Sequence, residues 1–143
     1  MIRIIKRNGS VEALSEEKYN RVVMWATDGV DGVSASAVAM GAAASIVDGM
    51  TTSQVHDALI KAAADLISAD TPNYSQVAAR LSIFKIRKDA HGQYEYPDFY
   101  EHILKNVTRG VYDDEIMHKY SCEEIDELGA YMKPEQIGRA SCR

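Results

Sequence analysis

The sequence predicts an α+β fold, mostly α, in which a small β-hairpin caps four helices. Three observations predict it. Asn8-Gly9 separates two short apolar runs at the N-terminus. Four stretches with apolar residues at helical spacing follow, most with a Ser or Thr poised to cap them. Breakers divide these stretches at Gly29 and Gly32, at Asp48-Gly49, at Asp70-Thr71-Pro72 and at Gly92. Neither an internal repeat nor a low-complexity segment interrupts this order.

Ile2–Ile5 reads as the first strand and Val11–Leu14 as its return. Asn-Gly suits a two-residue turn in which both central residues take φ > 0. Ser15 caps the first helix, with Glu16 and Glu17 favourably placed in its first turn. Tyr19, Val22, Val23 and Ala26 share one face and are expected in the core; Lys18, Arg21 and Trp25 lie on a neighbouring face. Ser34 or Ser36 caps a second, alanine-rich helix reaching about Val47. Its small residues Gly41, Ala42, Ala43 and Ala44 allow close packing on a partner. Thr51 or Thr52 caps the third, whose apolar stripe is Val55, Leu59, Ala62, Leu66 and Ile67. The fourth starts near Asn73 and buries Tyr74, Val77, Ala78, Leu81 and Phe84, leaving Arg80, Arg87 and Lys88 off the stripe. Gln93–Tyr96 is short and extended, and is expected to add a strand to the hairpin edge.

Pro97 suits the first position of a helix running to about Arg109. Shorter helices follow, about Asp113–Tyr120 and Cys122–Met132. Residues 93–132 are too few to close a core, so they read as the beginning of a helical domain whose remainder is missing. Residues 133–143 form a tail. Its end, Ile137–Arg143 (IGRASCR), continues no pattern and matches the translation of a common sequencing adapter, so it is set aside as an artefactual end on a truncated frame.

The net charge of −5 argues against a general nucleic-acid binder. Residues 1–22 carry five cations against three acids, whereas the rest carries eleven against eighteen. A basic N-terminal patch on an acidic chain points to a local anionic ligand. Cys122 and Cys142 have neither CxxC nor metal-ligand spacing and read as unpaired thiols. His56, His91, His102 and His118 fall in no zinc spacing. No apolar run approaches the ~20 residues needed to cross a bilayer, and no signal-peptide core is present. The expected location is cytoplasmic, with no membrane partner.

GxxxxGK(S/T), GxGxxG and GxSxG are all missing, so nothing in the chain is equipped to catalyse a reaction. What remains is a set of residues able to bind a nucleotide. Lys6 and Arg7 sit at the hairpin mouth, one a point charge and the other a fork for phosphate. Lys18 projects towards the same corner and Lys88 can close it from the fourth helix. Glu12 can accept from a ribose hydroxyl. Thr52 and His56, at i and i+4, share a face near the start of the third helix. On spacing alone, the plainer readings are a solvated hairpin tip with ordinary surface lysines, a cap at Thr52 and a half-exposed His56.

Residues 1 to about 92 resemble an ATP-cone, the regulatory nucleotide-binding domain of ribonucleotide reductases. The resemblance rests on IIKRNG at 4–9 with EALSxxK through Lys18, on SQVHDALIKAAADLIS at 53–68, and on YSQVAARLSIFKIRKDAHGQYE at 74–95. PDFYEHILKNVTRGVYDDEIMHKYSCEEI at 97–125 is similar to the start of the large (alpha) subunit of class I aerobic reductases of bacteria and phages. The resemblance implies a four-helix bundle under a small sheet over residues 1–92. It also implies an allosteric site for ATP as activator and dATP as inhibitor, with magnesium as companion ion. In the parent enzyme the partners are the rest of the large subunit and a small radical-generating subunit. By this resemblance Lys6 and Arg7 match the phosphate pair and Glu12 a ribose-contacting acid. Lys18 matches a helix lysine at the site, and Thr52 an adenine contact. His56 matches a histidine near sugar and phosphates, and Lys88 a distal phosphate lysine. Ser15 stands where relatives often have Asn, and Tyr19 where a smaller aliphatic residue is expected beside the base. The family's radical cysteine, redox cysteine pair and ten-stranded barrel have no counterpart in this stretch, so the fragment is expected to be non-catalytic. A cone that has lost its ligand, or a helical interaction module, is the alternative. A cone-bearing repressor would carry a zinc ribbon ahead of the first strand.

Overall fold

The computed structural model describes residues 1–133. The expectations for the tail beyond them, including Ile137–Arg143 and Cys142, lie outside the described residues. The elements are β1 (Arg3–Ile5), β2 (Val11–Ala13), α1 (Glu16–Thr27), α2 (Ala35–Ala43), α3 (Thr52–Asp65), α4 (Tyr74–His91), α5 (Phe99–Thr108), α6 (Glu115–Lys119) and α7 (Cys122–Tyr131). The fold is therefore α+β and mostly α, as the sequence predicts. The chain forms two compact units, Met1–Ile86 and one that begins at Arg87, and the division falls within α4.

β1 and β2 pair antiparallel, with Ile4 opposite Glu12 and Ile5 opposite Val11. The turn between them differs from the two-residue form expected. Lys6 N–H donates to Ser10 O (2.8 Å) and Gly9 N–H to Lys6 O (2.9 Å), and of the turn residues only Gly9 has positive φ, at 84°. This is a three-residue loop, a type I turn followed by a left-handed glycine. Asn8 is spared the left-handed region because its Oδ1 accepts from Ser10 N–H (3.0 Å) and closes an Asx turn.

The far edge of β1 is taken by the loop before α3. Gly49 N–H donates to Arg3 O (2.8 Å), Ile5 N–H to Met50 O (2.9 Å), and Ile5 and Thr51 form a parallel bridge. Arg3 clamps the same loop through Asp48, at 2.9 Å, and this contact holds the Asp48 carboxyl below the usual carboxylate range. The expected strand at Gln93–Tyr96 does not form. Its tyrosines are engaged elsewhere: Arg87 lies 4.3 Å from the Tyr96 ring centroid, and the Lys88 ammonium 5.0 Å from that of Tyr94.

In the first unit, Val23 from α1, Val38 from α2 and Val77 and Leu81 from α4 are almost wholly buried. α2 and α3 approach closely because Gly41 has no side chain; a Cβ there would stand 3.3 Å from that of Ala62. Ser34, not Ser36, caps α2, and its backbone N–H donates to the buried Tyr74 hydroxyl (2.9 Å). Arg80 donates to Ala26 O (3.2 Å) and Asp28 O (2.6 Å), placing a cation on the open carbonyls at the end of α1. Three elements are shorter or more exposed than expected. α2 stops at Ala43, where Ser45 turns its hydroxyl back onto Ala42 O (2.9 Å). α3 stops at Asp65, so Ile67 leaves the stripe and is exposed. Ala78 and Phe84 are half-buried, Phe84 meeting the Trp25 ring edge-on at 6.4 Å between centroids.

In the second unit, Asp98 caps α5 by accepting from Glu101 N–H (3.0 Å), which leaves Pro97 outside the helix rather than at its first position. Ser121 and Glu124 form a capping box on α7. α5 and α7 touch at Gly129, where a Cβ would stand 2.8 Å from that of Phe99. Ile103 and Ile125 are the buried hydrophobic side chains of this unit among the described residues.

Candidate functional site

The parallel bridge between Ile5 and Thr51 organises the site. Past it, the two chains run on in the same direction, so Lys6-Arg7 and Thr52 leave the bridge together. Thr51, rather than Thr52, is the cap of α3: its Oγ1 accepts from Gln54 N–H, and the Gln54 side chain accepts from Thr51 N–H (2.8 Å). Thr52 is thus the first helical residue, half-buried, and its hydroxyl is not needed for capping.

α1 reaches the same end of the unit through Tyr19. Its ring packs on the cluster of Ile4, Ile46 and Val55, and its hydroxyl donates to Ala39 O at 2.6 Å. Burial pushes the Tyr19 phenol up, so it remains a neutral donor. Tyr19 therefore ties α1 to α2 as well as standing near the hairpin. Ser15 caps α1 by accepting from Lys18 N–H (3.3 Å), and the Lys18 side chain is exposed. Lys6 and Glu12 meet across the hairpin, Nζ to Oε2, at 3.5 Å. Lys88 belongs to the second unit.

His56 is buried, at 5% exposure, and not half-exposed. Its Nε2 lies 3.1 Å from Leu81 O, and since a carbonyl can only accept, Nε2 carries the proton. Burial lowers the imidazole pKa; the Leu81 carbonyl opposes this, while the cations Arg7 and Lys85 lower it further and Asp57 raises it. His56 is accordingly neutral near pH 7 and can meet a ligand only through hydrogen bonding or packing.

Protonation of His56 in the unfolded chain, where its pKa returns to about 6.5, couples folding to pH. Its contribution to stability is complete above that value and is lost as pH falls through the lower folded value. We expect thermal stability to decline from pH 7.5 to 5.5, and His56→Gln to flatten the decline. His91, which burial and His102 also shift down, contributes in the same direction. An unchanged slope in the variant would remove His56 as its source.

Sequence reasoning missed Lys85 and Asp57, whose ion pair at 2.5 Å joins α4 to α3 beside His56. The two lie 28 positions apart, so no local pattern marks them. Among the described residues, no group of three or more His, Cys, Asp or Glu is placed to hold a metal ion, and no helix is long and apolar enough to cross a membrane.

The family model of the ATP cone domain matches residues 2–89. The chain is 43% identical over 129 residues to ribonucleoside-diphosphate reductase 1 subunit alpha of Escherichia coli (strain K12), covering 90% of this chain and 17% of that protein. It is 40% identical over 131 residues to the corresponding subunit of Haemophilus influenzae, covering 92% and 17%. With the subunit of Enterobacteria phage T4 the identity is 38% over 136 residues, covering 95% and 18%. The chain thus spans less than a fifth of the length of these relatives.

Proposed function

The chain belongs to the ATP-cone family, and from this we propose that residues 1–92 bind ATP or dATP at the corner formed by the hairpin tip and the starts of α1 and α3. The observation that supports the reading is the Ile5–Thr51 bridge, from which the cationic pair Lys6-Arg7 and the start of α3, with Thr52 and the buried His56 one turn on, both depart. Lys6, Arg7 and Lys18 would hold the phosphates, with magnesium accompanying the triphosphate. Glu12 would accept from the sugar. Thr52 would meet the adenine edge, and Ser15, Tyr19 and His56 would shape the wall around base and sugar.

The similarity to reductase alpha subunits supports placing this domain in a cytoplasmic ribonucleoside-diphosphate reductase, as the N-terminal part of the large subunit. Residues 93–132 would begin the helical region that follows. ATP would activate and dATP inhibit, each by favouring a different assembly of the large subunit with its small radical-generating partner. Such coupling is reciprocal, so assembly must in turn change nucleotide affinity.

Thermal unfolding with and without ATP or dATP plus magnesium tests the reading. A ligand at about 100 times its Kd adds roughly 2.7 kcal/mol of stability. We expect a rise of several degrees with both nucleotides, larger with dATP. A cooperative transition that neither nucleotide moves would leave a helical interaction module in place of a nucleotide site.

A further inference from the structure

The Lys6–Glu12 ion pair lies on the side of the hairpin where alternation would place apolar side chains. Residues opposite one another or two apart along a strand share a face. Glu12 is opposite Ile4, and Lys6 closes the hairpin against Ser10. All of them therefore stand on the face of Ile4, which is buried. Lys6 Nζ is 3.5 Å from Glu12 Oε2, and the Ser10 hydroxyl is 3.5 Å from Glu12 Oε1. The side chains of Lys6 and Glu12 are 28% and 53% exposed, so water and a ligand can both reach the pair.

We propose that this pair is an electrostatic latch on the nucleotide site. Without ligand, Glu12 is the counter-ion of Lys6. An incoming polyphosphate takes over the ammonium, and the released carboxylate becomes free to accept from a hydroxyl of the same ligand. The inference rests on the reading of Lys6 as a phosphate-binding residue. It adds that Glu12 opposes the phosphates before it serves the sugar. The latch thereby favours ligands that bring both several negative charges and a sugar hydroxyl. A bare polyphosphate repays only half of the exchange.

The test is calorimetric titration of the 143-residue chain with ATP plus magnesium, followed by displacement of ATP with inorganic tripolyphosphate, which has no sugar. Glu12→Gln, Lys6→Ala and the double variant are compared with the unaltered chain. An exposed ion pair is weak, so Glu12→Gln should tighten tripolyphosphate by about two- to fivefold. In the Lys6→Ala background the same change should have no effect. An equal gain in that background would reduce Glu12 to a source of long-range repulsion and overturn the latch. Unchanged or weaker tripolyphosphate binding in Glu12→Gln would overturn it too, and would leave Glu12 as a sugar acceptor alone if ATP binding fell. Failure of the unaltered chain to bind ATP would remove the nucleotide reading and the latch with it. Binding of ATP that depends on Lys6, with tripolyphosphate indifferent to Glu12, would keep the reading and remove the latch.

Discussion

Replacing Lys6 or Arg7 by alanine is expected to weaken ATP binding by roughly 1.5–3 kcal/mol, the worth of a hydrogen bond to a charged group. This is about a 10- to 150-fold rise in Kd. Lys6 exchanges one anionic partner for another, Glu12 for phosphate, so its loss should fall at the lower end of that range. Arg7, on the exposed tip of the type I turn, offers a planar fork suited to two phosphate oxygens. Neither side chain belongs to the core, so stability without nucleotide should stay within about 1 kcal/mol of the unaltered chain, the worth of an exposed ion pair. Calorimetric titration of each variant measures the first quantity and thermal unfolding the second. Wild-type affinity in both variants would move the phosphates away from the hairpin.

Leu81→Ala should destabilise the first unit by about 2–5 kcal/mol, the range for truncating a buried leucine. Leu81 is fully buried on α4. Its backbone carbonyl also accepts from His56, so collapse around the cavity would disturb His56 as well as the core. Against a total of 5–15 kcal/mol for a typical domain, the loss is large. Ile86, on the same helix but 64% exposed, provides the control, and Ile86→Ala should cost less than about 0.5 kcal/mol. Denaturant titration of both variants reads the difference. Equal, small effects would mean that α4 does not pack as described.

Much of the helical architecture was legible because its signals are local. The stripe of Val22, Val23 and Ala26 in α1, the cap at Ser15, and Gly9 in the hairpin turn are each written within a few residues. The errors are also local in origin. Two candidate caps stood side by side at Thr51 and Thr52, and only the hydrogen bond from Gln54 N–H to Thr51 decides between them. Asn8 looked like a left-handed residue because the Asn-Gly pair is compatible with two hairpin loops. The choice between them is made by the pairing of Lys6 with Ser10.

The tertiary structure decided what no window of sequence contains. The edge of β1 could accept either Gln93–Tyr96 or the loop before α3. The loop takes it because Asp48 clamps Arg3 from 45 positions away while Thr51 both bridges Ile5 and starts a helix. His56 reads from its neighbours as half-exposed, and it is buried because Leu81, 25 positions on, supplies the carbonyl that satisfies it. By itself, then, the sequence determined the hairpin, the helices α1 to α4 and the basic character of the N-terminal corner, since periodicity, caps and charge act over a turn or two. Only the folded chain determined which strand edge is filled, which histidine is buried and which carboxylate holds Lys6. Those outcomes depend on partners that chain connectivity leaves far apart and packing brings together.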